Sequence, residues 1–178
     1  MTMIYAKDID NTPILLTKDN ISLVRNFNCG NKVINEYLKF KALEDTQATT
    51  FIVLDDNSND IICYYSLSCC GFVVNNGTNF TIYPAVEIKM FAIDEKYQHM
   101  NYSENIEDGN FSDMLFSEVI GNIYNFTDNY CGADKVILYS VPDAESFYTR
   151  NGFKRFERFM LQSTSIFVDG CIPMYLSL

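Results

Sequence analysis

Apolar positions along the chain alternate between two periods, and the changes of period outline the elements. From Asn31 to Asp45, Val33, Ile34, Tyr37, Leu38 and Leu43 recur at helical spacing. Phe51–Leu54 and Ile61–Leu67 are apolar runs on either side of the polar segment Asp55–Asp60, the pattern of a β-hairpin. A short strand around Ile14–Leu16 precedes them, Phe72–Val74 extends or follows the second run, and Glu87–Ile93 is the next strand. The polar stretch His99–Gly109 predicts a loop. Beyond it Leu115, Phe116, Val119, Ile120, Ile123 and Phe126 form one apolar face of a helix over Met114–Tyr130, with Gly132 as its stop. Lys135–Val141, Phe153–Phe159 and Ile172–Leu178 predict strands, and Asp143–Asn151 predicts a short helix closed by Gly152. Strands and helices in that order predict one α/β (α+β) domain over residues 1–178, with a mixed sheet flanked by helices.

Composition narrows the class. A chain of 178 residues, 48% hydrophobic and 15% aromatic, has the length and apolar content for one sizeable core and is not a disordered chain. No run of about 18 apolar residues exists to span a bilayer. Met1–Asp10 carries Lys7, Asp8 and Asp10 where a signal peptide needs an apolar stretch, so a cytoplasmic location is expected. With His99 as the one histidine, neither a Ser-His-Asp triad nor a His-rich metal site can be assembled. The cysteines, Cys29, Cys63, Cys69, Cys70, Cys131 and Cys171, lack zinc-site spacing, and the vicinal Cys69–Cys70 pair cannot form an ordinary bridge. They read as free thiols, and no metal is expected. The formal net charge is −10, which argues against a polynucleotide partner and for a cationic one.

Three motifs carry a resemblance. Pro84–Asp94, Pro-Ala-Val-Glu-Ile-Lys-Met-Phe-Ala-Ile-Asp, is similar to the central strand of the GNAT (Gcn5-related) acetyltransferases. Ala144–Phe153, Ala-Glu-Ser-Phe-Tyr-Thr-Arg-Asn-Gly-Phe, resembles that family's Ala-x-x-Phe/Leu-Tyr-x-x-x-Gly-Phe signature. Phe27-Asn-Cys-Gly30 ahead of a helix resembles the opening of the branch that contains toxin acetyltransferases. The resemblance runs from about Phe27 to the end of the chain, with the motifs in the family's order.

Several expectations follow from it. The sheet should splay beside the central strand, and acetyl-CoA should be the co-substrate, its pantetheine arm pairing with backbone at Phe91, Ala92 and Ile93 as an added strand would. The family's pyrophosphate turn, Gln/Arg-x-x-Gly-x-Gly/Ala, is not found directly after Tyr97-Gln98. An inserted loop displaces the implied turn to Gly109, Asn110, Phe111 and Ser112, ahead of a helix N-terminus that favours anions. By resemblance, Tyr148 donates to the departing thiolate; read as a residue, it can equally pack the Gly152–Phe153 corner. Glu87 matches the strand-start glutamate that serves as base in histone-acetylating members; an exposed strand-end charge is the plain alternative. The implied reaction is direct acetyl transfer to a primary amine, of a small molecule or a peptide, with no metal, nucleic acid or membrane as partner and a homodimer compatible. Two other readings stay open: a catalytically decayed fold that binds CoA or a protein, and a toxin-like enzyme that acetylates aminoacyl-tRNA.

Overall fold

The computed structural model describes Tyr5, Ala6, Ile9, residues 11–161 and residues 168–178; the charged Lys7, Asp8 and Asp10 lie outside them. The strands are β1 (Pro13–Leu15), β2 (Thr49–Leu54), β3 (Ile61–Asn75), β4 (Phe80–Ile93), β5 (Lys135–Ser140), β6 (Lys154–Arg155), β7 (Met160–Leu161) and β8 (Ile172–Ser177). The helices are α1 (Lys32–Phe40), α2 (Phe111–Phe126) and α3 (Glu145–Arg150). Strands hydrogen-bond in the order β1-β2-β3-β4-β5-β8-β6, with β7 on β3. β4 and β5 run parallel, whereas β1–β2, β2–β3, β3–β7, β5–β8 and β6–β8 are antiparallel. The sheet is therefore mixed, as the order of elements predicted. The chain gathers into two compact units, Met1–Leu67 with Met90–Val119, and Ser68–Lys89 with Ile120–Leu178.

In the first unit, α1 starts where Asn31 turns its side-chain oxygen onto the amides of Val33 and Ile34, satisfying donors the helix cannot pair itself. Its buried face presents Tyr37 and Leu38 to a core with Leu16, Val24, Phe27, Ala42, Ile52, Ile61, Tyr64 and Ala92. Phe27 meets Tyr64 edge to face at 5.3 Å, and the Tyr64 hydroxyl donates to the Ile34 carbonyl at 2.8 Å. The helix stops at Phe40, short of the expected Asp45. The amides of Lys41 and Ala42 both return to the Tyr37 carbonyl, and Asp45 accepts from the Tyr37 hydroxyl at 2.9 Å, so the apolar Leu43 belongs to a turn.

In the second unit, Phe72, Val74, Ala85, Ile137 and Tyr175 form a core, with Phe72 edge-on to Phe156 at 5.8 Å. The expected strand Glu87–Ile93 proves to begin at Phe80. Phe80, Ile82 and Tyr83 are exposed and Pro84 follows them, so the segment buries no apolar face of the kind that marks a half-buried strand. The expected strand Phe153–Phe159 shortens to β6 on β8, because a turn closes between Glu157 and Met160, and β7 begins only after it, on β3. α2 starts at Phe111, three residues before the expected Met114, and ends in a π-helical turn over Thr127–Cys131. Gly132, at φ +57°, stops it by donating to the Thr127 carbonyl.

Candidate active site

β4 ends in the first unit at Ile93, and the next residue organises what surrounds it. Asp94 is 6% exposed, and its carboxylate accepts the Asn28 amide at 2.8 Å and the Lys96 amide at 3.0 Å. A buried carboxylate is tolerable only with such donors. Its backbone amide bonds Ile62 on β3, and its carbonyl accepts from Tyr97 and Gln98. The loop Phe27–Gly30 is thus fastened to the strand end. Asn28 donates to Glu95 at 2.7 Å and accepts from Asn35 on α1 and from the Gly30 amide. Gly30 sits at φ +83°, and a Cβ there would lie 2.9 Å from Glu95 Oε1, so a side chain would be both strained and crowded. The Gln98 amide group bridges the carbonyls of Ile93, at 2.8 Å, and Cys29, at 3.2 Å. Gln98 therefore braces the strand end. The asparagines that build this clasp escaped the sequence reading, although Asn28 and Asn35 at the helix entry were a visible signal.

The backbone candidates Phe91, Ala92 and Ile93 form the end of β4. Their side chains pack: Ala92 and Ile93 are buried, and Phe91 meets Phe116 on α2 at 5.0 Å. The parallel pairing of β4 with β5 covers Ala85↔Lys135 to Ile88↔Leu138, and no further pair follows among the described residues.

Gly109, Asn110, Phe111 and Ser112 stand together at the entrance to α2. Gly109 has φ +82° and open space where a Cβ would be. The turn is sewn to the preceding loop: Asn101 bridges Asn110, the Tyr102 amide donates to Gly109, and the Phe111 amide donates to Met100 at 2.9 Å. The amide of Phe111 is thus already satisfied, and its ring is fully buried. The acidic neighbour Asp108 accepts from Ser103 and from Asn105, which ties its charge into the loop.

Glu87 and Tyr148 belong to the second unit. Glu87 lies on β4 opposite Ile137 of β5 and is half-buried. Burial holds its carboxyl above the usual range, with Lys89 pulling weakly the other way. Tyr148 is buried on α3, its ring 5.2 Å from Phe147 and 6.1 Å from Phe153. Burial raises its phenol far above the ordinary value, so it keeps its proton throughout the physiological range. The turn after α3 closes as the Phe153 amide returns to the Tyr148 carbonyl, with Gly152 at φ +89°. Nearby on the chain, Arg155 pairs with Glu145, so one of the few local cations is neutralised within the protein.

Solved structures share this architecture. AtaT complexed with acetyl-methionyl-tRNAfMet superposes with a TM-score of 0.70 at 15% identity, covering 94% of this chain and 95% of that one. AtaTR bound with acetyl-CoA gives 0.67 at 16% identity over 94% and 93%, and the KacTA–DNA complex gives 0.69 at 17% over 94% and 93%. The fold is that of the GNAT-type toxins. No family model matches the sequence, and no curated protein matches it. The GNAT fold explains how β4, α2 and the α3 corner follow one another in this chain. It also overturns one expectation, the exclusion of nucleic acid on the ground of the −10 charge. Proteins with this fold are solved with DNA and with tRNA, so an acidic total does not exclude such a partner. Total charge is a sum over the whole surface, whereas phosphate contacts depend on local groups. Among the described residues, no helix is long and apolar enough to cross a membrane.

Proposed function

We propose that the chain, acting as one GNAT domain, transfers an acetyl group from acetyl-CoA to a primary amine. The observation that supports this best is the likeness, over 94% of the chain, to a toxin complex solved with acetyl-CoA. Fold alone does not imply function. The reading therefore also rests on the motif residues at the end of β4 and on α3.

In this mechanism acetyl-CoA supplies a thioester, which an amine nitrogen attacks directly; the C–N bond forms and the C–S bond breaks. The backbone of Phe91–Ile93, at the end of β4, holds the pantetheine arm as an added strand would. Gly109, Asn110 and Ser112 receive the pyrophosphate, while Phe111 serves by packing, since its amide is committed to Met100. Freeing an amine of pKa about 10.4 of its proton costs about 4–5 kcal/mol at neutral pH. Glu87 accepts that proton through water, and a carboxyl raised by burial is the better base for it. Tyr148 keeps its own proton because burial disfavours the phenolate. Its contribution is a hydrogen bond to the sulfur as negative charge develops there.

A second reading, acetylation of the amino group of aminoacyl-tRNA, uses the same chemistry on a larger acceptor. The likeness to AtaT in complex with acetyl-methionyl-tRNAfMet favours it. One assay addresses both: release of the CoA thiol from acetyl-CoA with polyamines, peptides or aminoacyl-tRNA as acceptor. Thiol release with any of them supports acetyl transfer, and release with aminoacyl-tRNA alone selects the second reading. No release from any acceptor, together with no thermal shift at millimolar acetyl-CoA, would leave a protein-binding module.

A further inference from the structure

The side chain of Gln98 spends one end on two carbonyls and leaves the other end without a partner among the described residues. Its backbone amide donates to the Asp94 carbonyl at 3.2 Å, which folds the chain back over the strand end. Asp94 in turn donates its own amide to Ile62 on β3 at 2.9 Å. In a planar trans peptide the carbonyl points opposite to the amide, so the Ile93 carbonyl faces the edge of β4 away from β3. There it accepts from Gln98 Nε2 at 2.8 Å, and the Cys29 carbonyl accepts from the same nitrogen at 3.2 Å. Two carbonyls can be met only by the NH2 end of a carboxamide, which fixes its orientation and uses both of its protons. Oε1 is left over. It is not enclosed, since no buried side-chain oxygen among the described residues lacks a partner. Gln98 is half-buried, and the residues that fix it all belong to the first unit.

We propose that Gln98 is a further acetyl-CoA-binding residue, its Oε1 accepting an amide N–H of the pantetheine arm. The inference rests on the acetyl-transfer reading above, in which that arm lies along the end of β4. A strand added at an edge needs an acceptor for each N–H it turns toward that edge. The Ile93 carbonyl is spent on Gln98, and Oε1 stands in for it one carboxamide further out. Chemistry selects the donor. An amide oxygen accepts and never donates, and its partial negative charge repels a phosphate, so the anionic groups of the nucleotide are not its ligand. The pantetheine arm carries amide N–H groups and no charge. Binding exchanges solvent at Oε1 for one of those N–H groups and leaves the brace on Ile93 and Cys29 intact. Gln98 thus gives the arm its register: it closes the edge at Ile93 and sets where along β4 the thioester lies.

The test is a cycle of one substitution and one ligand change, read as calorimetric binding to the full chain. Gln98→Lys keeps a donor for both carbonyls and removes the acceptor. In the ligand, each pantetheine amide N–H of acetyl-CoA is replaced in turn by an ester oxygen, which removes the donor. The parent should bind one of these analogues roughly tenfold more weakly than acetyl-CoA. Gln98→Lys should melt near the parent and bind that analogue and acetyl-CoA alike. The ratio of the two affinities cancels any pull of the new ammonium on the phosphates. An equal penalty in parent and variant would assign the N–H to backbone and overturn the proposal, and so would a parent that binds every analogue as it binds acetyl-CoA. Should Gln98→Lys fail to fold, Gln98→Arg, which also donates and cannot accept, takes its place. Affinity is read without turnover. A parent that binds acetyl-CoA but transfers nothing therefore sinks the enzyme reading alone, and one that does not bind it sinks both.

Discussion

In the first unit, the end of β4 is held by polar groups that answer one another. Asp94 accepts two backbone amides, Gln98 spans two carbonyls, and Asn28 and Asn35 lock the loop ahead of α1. In the second unit, Glu87 and Tyr148 are held by burial, against β5 in one case and aromatic rings in the other. The difference separates two kinds of candidate residue. Where backbone does the binding, side chains are free to serve as scaffold, and changing them alters the fold before the chemistry. Where a side chain does the chemistry, its surroundings set its proton affinity, and changing one atom alters the chemistry before the fold.

The sharpest way to break that contrast is Tyr148→Phe. It removes a hydroxyl and keeps the ring against Phe147 and Phe153. A hydrogen bond aimed at a developing thiolate is worth about 2.7–4 kcal/mol, or roughly 10²–10³ in turnover. Turnover and acetyl-CoA affinity, measured side by side, should show that loss in turnover with affinity nearly unchanged. Turnover within a few-fold of the parent would make Tyr148 a packing residue like those of the first unit.

Asp94→Ala tests the other side. Losing a buried carboxylate leaves the amides of Asn28 and Lys96 without their acceptor. The expected cost is about 2–3 kcal/mol of stability, seen as a lower urea midpoint. An unchanged midpoint would mean that water replaces the carboxylate and that the clasp is not structural.

Gly109→Val sits between the two kinds. At φ +82° a β-branched residue is strained by about 1–2 kcal/mol, even with open space around the Cβ. If the turn receives the pyrophosphate, calorimetry should show CoA affinity falling by more than the small loss in melting temperature accounts for. Equal affinity would move the phosphates away from this turn.

The smallest expected effect concerns Glu87→Gln. A carboxyl raised by burial adds its stability fully below its unfolded pKa, near 4.3, and loses it as pH rises through the folded value. The neutral amide escapes that loss. Melting temperatures of variant and parent should therefore agree at low pH, and the variant should be the more stable at neutral pH. If Glu87 is also the base, the variant's turnover should recover partly as pH approaches the pKa of the amine. The reverse order of melting temperatures would show the charge to be well solvated and the comparison with Tyr148 unjustified.

The amino-acid sequence by itself determined the elements whose cause is local. Helical spacing places Tyr37 and Leu38 on one face of α1 and Phe116, Val119 and Ile123 on one face of α2, while Gly132 and Gly152 end their helical segments in the left-handed region. The motif Ala144–Phe153 was equally legible, because a helix, a glycine and an aromatic at fixed offsets form one local unit. Only the tertiary structure decided what depends on partners distant in the chain. β4 extends back to Phe80 because pairing holds a segment whose Phe80, Ile82 and Tyr83 are exposed and bury no face. Asp94 becomes a clasp only when Asn28, 66 residues earlier, presents its amide, and Gln98 becomes a brace only beside Cys29. The thiols follow the same rule: Cys69 and Cys70 are neighbours in the chain, but a strand turns adjacent side chains to opposite faces, leaving Cys69 exposed while the Cys70 thiol reaches the Ala85 carbonyl at 3.5 Å.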